Sequence, residues 1–158
     1  MFVDDIAGIR RILSECKTVA MVGLSAHWYR PSFFAAKYLQ EQGFKVISVT
    51  PQYEEVLGEP CFAKLEDVPE PVDVVDCFRR AEEIPALAES AVVIGAKVLW
   101  QQLGINNPQA TAIAAAGGLD VVADRCMKIE HARLFGGLNF IGVNTKVISA
   151  KRPLPKSR

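Results

Sequence analysis

The chain is poor in the residues that most often betray a function. It has only two histidines, His27 and His131, and four cysteines, Cys16, Cys61, Cys77 and Cys126, which lie far apart with no Cys-x-x-Cys pair. They read as free thiols, as expected in a reducing compartment. Charge of one sign is also missing: 18 basic side chains balance 18 acidic ones, so no global field favours nucleic acid or an anionic membrane surface. Any anion site must be local. The apolar runs fall well short of the ~20 residues of a membrane span, and Met1-Phe2-Val3-Asp4-Asp5 carries no basic region leading into an apolar stretch. The expectation is a soluble, cytoplasmic protein.

What is present fits one domain. A chain of 158 residues, half of them hydrophobic, has the length of a single domain, which buries roughly two-thirds of the surface its unfolded chain exposes. Ile6, Ile9, Ile12 and Leu13 recur at helical spacing in a polar first segment, residues 1–17, and predict an amphipathic helix packed on the rest of the domain. Thr18 to Val22 reads as strand one, Phe33 to Leu39 as a helix stopped by Gly43, and Phe44 to Val49 as strand two. The connection Thr50 to Pro71 is expected to hold only a short helical turn near Lys64 to Asp67. Val72 to Phe78 reads as strand three, Ala81 to Ile94 as a helix ended by Gly95, and Lys97 to Trp100 as strand four. Pro108 to Ala116 reads as a helix closed by Gly117-Gly118, and Leu119 to Ala123 as strand five. Alternation of this kind predicts an α/β fold, a Rossmann-like, doubly wound, parallel five-stranded sheet covered on both faces, over residues 18–134.

In such a sheet the residues just past each strand gather on one edge. Here they are Gly23 to Ser25, Thr50 to Gln52, Phe78 to Arg80, Trp100 to Gly104 and Asp124 to Cys126. Amides, hydroxyls, arginines and two aromatic faces are collected, without an evident nucleophile and base, so the edge reads as a binding crevice.

The most telling part is Val19-Ala20-Met21-Val22-Gly23-Leu24-Ser25 followed by Arg30-Pro31-Ser32. A buried strand turns at a glycine and re-enters a helix beside an arginine, an arrangement suited to phosphates. Gly23 either serves the turn alone or lets a ligand approach. Pro31 is favoured at a first helical position for backbone reasons, and Ser32 either satisfies open amides or meets the ligand. Arg30 has no such local duty. A helix N-terminus adds roughly 0.3–1 kcal/mol for a nearby anion, and a charge-assisted hydrogen bond about 1.5–3 kcal/mol, so Arg30 would dominate phosphate affinity.

A dinucleotide fingerprint is absent, since Gly23-Leu24-Ser25-Ala26-His27 lacks the second and third glycines and strand two ends Val49-Thr50-Pro51 rather than in an acid. No Gly-Lys-Ser/Thr follows strand one, which excludes a P-loop, and no acids stand there for a phosphoacceptor. The predicted ligand is phosphorylated but lacks a ribose held by a carboxylate.

Val-Gly-Leu-Ser, Arg-Pro-Ser, Val-Thr-Pro, Val-Leu-Gly-Glu-Pro, Pro-Val-Asp-Val-Val-Asp-Cys-Phe-Arg-Arg, Gly-Ala-Lys-Val-Leu-Trp-Gln-Gln-Leu-Gly and Asp-Arg-Cys-Met-Lys-Ile-Glu-His follow one another from Thr18 to Leu134. Together they resemble the small stand-alone CoA-binding proteins, which are similar to the CoA-binding domain of the succinyl-CoA synthetase alpha subunit. The resemblance implies coenzyme A lying across the carboxyl edge. It implies that Gly23, Leu24, Ser25, Arg30 and Ser32 face the phosphates, Pro51 and Gln52 the adenosine, and Phe78 and Arg79 the far side of the ligand. Trp100, Gln102, Asp124, Arg125 and Cys126 would close the pocket near the pantetheine. A carboxylate at the end of strand two would repel the 3′-phosphate of CoA, so its absence agrees.

Catalysis does not follow, because the synthetase relies on a phosphorylated histidine in a second domain and on a partner subunit, neither of which this length accommodates. His131 reads as part of a helix with solvated charges, and His27 stands in the first loop, within reach of a ligand. Cys126, at a helix start, is either a thiol activated by the helix dipole or a partly buried small side chain. Residues 135–158 change character, and the basic, proline-rich Lys151 to Arg158 reads as a disordered tail, with Thr145 to Ser149 available to a sheet edge or a partner. The expectation is a protein that binds CoA or an acyl-CoA without catalysis by itself. The alternatives are an enzyme on a CoA- or nucleotide-linked substrate in the same crevice, using Asp124, Cys126 or His27, and an interaction module with a vestigial pocket. A homo-oligomer or a further protein partner stays open.

Overall fold

The computed structural model describes residues 1–136. Elements follow in the order α1 (Ile6–Glu15), β1 (Thr18–Val22), α2 (Pro31–Glu41), β2 (Lys45–Val49), β3 (Glu55–Val56), β4 (Glu59–Phe62), β5 (Val74–Cys77), α3 (Ile84–Val93), β6 (Val98–Gln101), α4 (Pro108–Ala116), β7 (Asp120–Val122) and α5 (Met127–Phe135). Single 3₁₀ turns at Leu65–Asp67 and Ala81–Glu83 precede β5 and α3.

The seven strands lie in the order β3-β4-β2-β1-β5-β6-β7, all parallel to their neighbours except β3 against β4. Both faces of the sheet are covered, which is why its inner strands are near-continuous apolar runs rather than alternating ones. Val19, Met21, Val74, Val98 and Trp100 pack under α1, α2 and α5. Ala20, Val22, Val75, Cys77 and Leu99 pack under α3 and α4, whose Ala88, Ala91, Ala110 and Ala114 are fully buried and let the two helices lie close.

Local signals explain the ends. Asn107 caps α4 by accepting the Ala110 N–H at 2.9 Å, and Pro108 occupies the first helical position, where its missing N–H costs nothing. In α1, Ile9, Ile12 and Leu13 form the buried stripe, each contributing about 1.5–3 kcal/mol of burial. The segment before α1 also pairs with β7, through Val3 N–H to Val121 O at 2.8 Å and Val121 N–H to Met1 O at 2.9 Å.

Two strands were not expected from the sequence: β3 and β4 form a hairpin within Thr50 to Pro71, making the sheet seven-stranded rather than five-stranded. Its turn residues, Leu57 and Gly58, both have positive φ, 53° and 80°. A two-residue hairpin turn of this kind is usually written Asn-Gly or Asp-Gly, so leucine hides it. Pro60 within β4 further disguises the strand. The predicted tail lies, from residue 137 onward, outside the described residues, with Thr145 to Ser149 and Lys151 to Arg158.

Candidate functional site

The strand order reverses direction across β1, with β2 on one side and β5 on the other, so loops from consecutive strands diverge and leave a crevice at their carboxyl ends. Gly23 stands at its centre. Its φ of +88° is left-handed, and a Cβ there would overlap the Phe78 carbonyl oxygen and lie 2.8 Å from Arg79 Cδ. The glycine is therefore required by the close approach of the β1 and β5 loops, whatever the crevice holds.

Beyond Gly23 the first loop is tied down by its own serines. The Ser25 N–H donates to Ser32 Oγ and the His27 N–H to Ser25 Oγ, each at 3.1 Å. Ser32, in the first turn of α2, thus spends its hydroxyl on the loop rather than on its own helix, while Leu24 turns its side chain into the core. Arg30 is the exposed N-cap of α2, stacked over Tyr29 at 5.6 Å, and has no carboxylate partner among the described residues.

Gly23, Ser25, His27, Arg30, Ser32, Gln52, Tyr53 and Phe78 surround a cavity of about 420 Å³. Two more adjoin it. One of about 480 Å³ opens between β2 and α3, where Val49, Pro51, Leu65 and Leu87 supply apolar walls and Lys64, Glu66, Arg79 and Glu83 the charges. The other, also about 480 Å³, lies beyond β5 and is lined by Phe78, Arg79, Glu83, Gln102, Leu103 and Ile105. Gln52, Phe78, Arg79 and Glu83 are each shared between two of the three, so the cavities form one continuous groove along the carboxyl edge. Arg79 is held by Glu83 at 2.8 Å, and that hydrogen bond keeps the Glu83 carboxyl below the usual carboxylate range.

Not every residue expected here reaches the groove. Trp100 is fully buried in the core, its indole N–H donating to the Arg125 carbonyl at 2.8 Å, because an inner strand covered on both faces hides alternate side chains on either side. Arg125 is clamped by Asp4 at 2.8 Å and Glu130 at 2.9 Å. Asp124, at φ 55°, accepts the Gly104 N–H at 2.7 Å and fastens the β6 and β7 loops to each other. Cys126 caps α5, but burial pushes its thiol up, outweighing the Lys128 and Ile129 amides that favour the thiolate, so the activated thiol is not realised. None of these four lines the three cavities. The helix expected to carry solvated charges is largely buried instead: Glu130, His131 and Arg133 are sealed where α5 packs on α1 and α2. His131 shares a hydrogen bond with Tyr38 Oη at 2.9 Å, and burial lowers its pKa.

Sequence reasoning missed Tyr53, Lys64, Leu65, Glu66, Leu87 and Ser90: β4 pairs with β2 and brings Lys64, Leu65 and Glu66 to the groove, while Leu87 and Ser90 reach it from α3 and Tyr53 from the loop after β2. The short helical turn near Lys64 was the one available signal. Asp76 was also missed. It is fully buried on β5, burial raises its pKa to about 7, and among the described residues its carboxyl has one hydrogen-bond partner, the Gln102 carboxamide N–H.

Comparison with known proteins agrees with this geometry. YneT of Bacillus subtilis is 36% identical over 126 residues, covering 80% of this chain and 93% of that protein. A hypothetical protein from Pyrococcus horikoshii OT3, of solved structure, is 39% identical with a TM-score of 0.80, covering 84% of this chain and 94% of that one. Acetate-CoA ligase I (ADP-forming) of Archaeoglobus fulgidus is 28% identical over 130 residues, which are 75% of this chain but 19% of the ligase. The family model described as CoA binding domain matches residues 17–132, the stretch that builds β1 to β7 and most of α5. The match spans most of the chain, so the chain belongs to the CoA-binding domain family.

Proposed function

We propose that the groove binds coenzyme A or an acyl-CoA, with the diphosphate at Gly23, Ser25, Arg30 and Ser32. The observation that carries this reading is Arg30: a cation without a carboxylate partner among the described residues, at a helix N-terminus, beside the mouth of β1. The remaining cavities suit the rest of the molecule. Apolar walls at Val49, Pro51, Leu65 and Leu87 fit an adenine; Arg79 in the same cavity is paired with Glu83, which leaves Lys64, beside Glu66, as the cation for a 3′-phosphate. Phe78, Leu103 and Ile105 offer an apolar channel, with Gln102 its polar contact, for the pantetheine arm.

Binding without catalysis is the better-supported form. Of the three groups an enzyme reading would use, Asp124 holds the Gly104 amide and Cys126 carries a thiol raised by burial, both outside the three cavities, and only His27, stacked on Tyr29, lines the groove. Calorimetry of the purified protein against CoA, NAD and ATP tests the reading. CoA should bind at least about tenfold more tightly than either competitor, and equal or absent CoA binding rejects it.

A further inference from the structure

Gln101, the last residue of β6, and Gln102, just past it, are used differently. Gln101 spends both ends of its carboxamide inside the protein: Nε2 donates to Thr111 Oγ1 at 3.0 Å, and Oε1 accepts the Asn107 N–H at 2.8 Å. Its neighbour spends one. Gln102 Nε2 donates to Asp76 Oδ1, while Gln102 Oε1 takes no hydrogen bond from the described residues and belongs to a side chain lining the cavity beyond β5. Asp76 is wholly enclosed, and its second carboxyl oxygen has no partner among the described residues, so the carboxyl is committed to a single contact there at considerable desolvation cost. A buried acceptor facing a carboxamide decides which end of that carboxamide points outward.

We propose that Asp76 is a positioning residue that fixes Gln102 with its carbonyl oxygen toward the groove, so that the cavity beyond β5 selects a ligand presenting an amide N–H there. This deepens the CoA reading and rests on it, since the pantetheine arm carries secondary amides and the nucleotide portion of CoA carries none. The polarity is set by the pair rather than by Gln102 alone. Were the carboxamide free to turn over, its NH₂ would face the ligand and meet another donor.

At about pH 8.5, where the Asp76 carboxyl is ionised and can only accept, binding of CoA is compared with binding of 3′-phosphoadenosine 5′-diphosphate, which lacks pantetheine, to the wild type, Asp76→Leu and Asp76→Asn. Leucine removes the acceptor, whereas asparagine offers an N–H donor beside its accepting oxygen and no longer dictates which end of Gln102 it meets. The ratio of the two affinities should fall about tenfold in Asp76→Leu, the worth of one hydrogen bond, with nucleotide affinity held, and should fall by less in Asp76→Asn. An unchanged ratio, or an equal loss for both ligands, overturns the proposal. Should Asp76→Leu fail to fold, a CoA analogue with its pantetheine amides replaced by esters serves on the wild type: about tenfold weaker binding is expected, and equal affinity overturns the inference. Wild-type protein that binds neither CoA nor the nucleotide rejects the CoA reading itself, a result distinct from the loss of amide selectivity.

Discussion

Gly23 and Phe78 face each other at the carboxyl ends of paired strands so closely that a methyl group on the glycine would overlap the phenylalanine's carbonyl oxygen. The crevice is therefore shaped from within. Two loops that must diverge start from a shared point of backbone contact, and the groove opens on either side of it.

Gly23→Ala should cost at least about 2 kcal/mol of stability, since the left-handed backbone alone costs roughly 1–2 kcal/mol for an L-residue and the overlap with Phe78 adds to it. The midpoint of urea unfolding reads this directly. An unshifted midpoint would mean that the two loops do not meet.

Arg30→Ala should weaken CoA binding by about tenfold or more, the value of a charge-assisted hydrogen bond to phosphate. The melting temperature should scarcely move, because the side chain is exposed and pairs with no carboxylate among the described residues. Calorimetry and a thermal melt on the same preparation separate the two effects. Unaltered affinity would remove the diphosphate from this loop.

Asp76 should make the protein less stable as pH rises. Its carboxyl titrates near 4 when unfolded and at about 7 in the fold, because burial disfavours the charge. Between those values the folded state holds a proton that the unfolded state has released. Stability from this group is thus fully present below about pH 4, declines through pH 7 and is level above it, by an amount on the order of 4 kcal/mol at most. Asp76→Asn removes this component, so the difference between wild-type and variant melts should grow from about pH 4 to about pH 7 in the variant's favour. Parallel pH profiles would show that Asp76 titrates normally.

Much of the fold was legible because burial on both faces writes itself as near-continuous apolar sequence: Val19 to Val22, Val46 to Val49 and Val74 to Cys77 are hard to read otherwise, even with Ser48 and Asp76 among them. Arg30-Pro31-Ser32 likewise marked the start of α2, and Pro108 and Gly117 bracketed α4. The hidden remainder depends on partners distant in the chain. Nothing near Arg125 announces that Asp4, 121 positions earlier, will grip it, and nothing near Trp100 says that its indole N–H ends on the next strand's loop. Gln101 and Gln102 are identical neighbours, distinguished only by which side of the sheet meets Asp76.

The pairing of Met1 and Val3 with Val121 has a bearing on how copies of this protein meet in solution. At one border of the sheet the chain's own beginning occupies the hydrogen-bonding positions beside β7, and at the other the outermost strand runs for only two residues. Among the described residues a stranger's strand finds little template at either border, which disfavours edge-to-edge joining of sheets from separate copies.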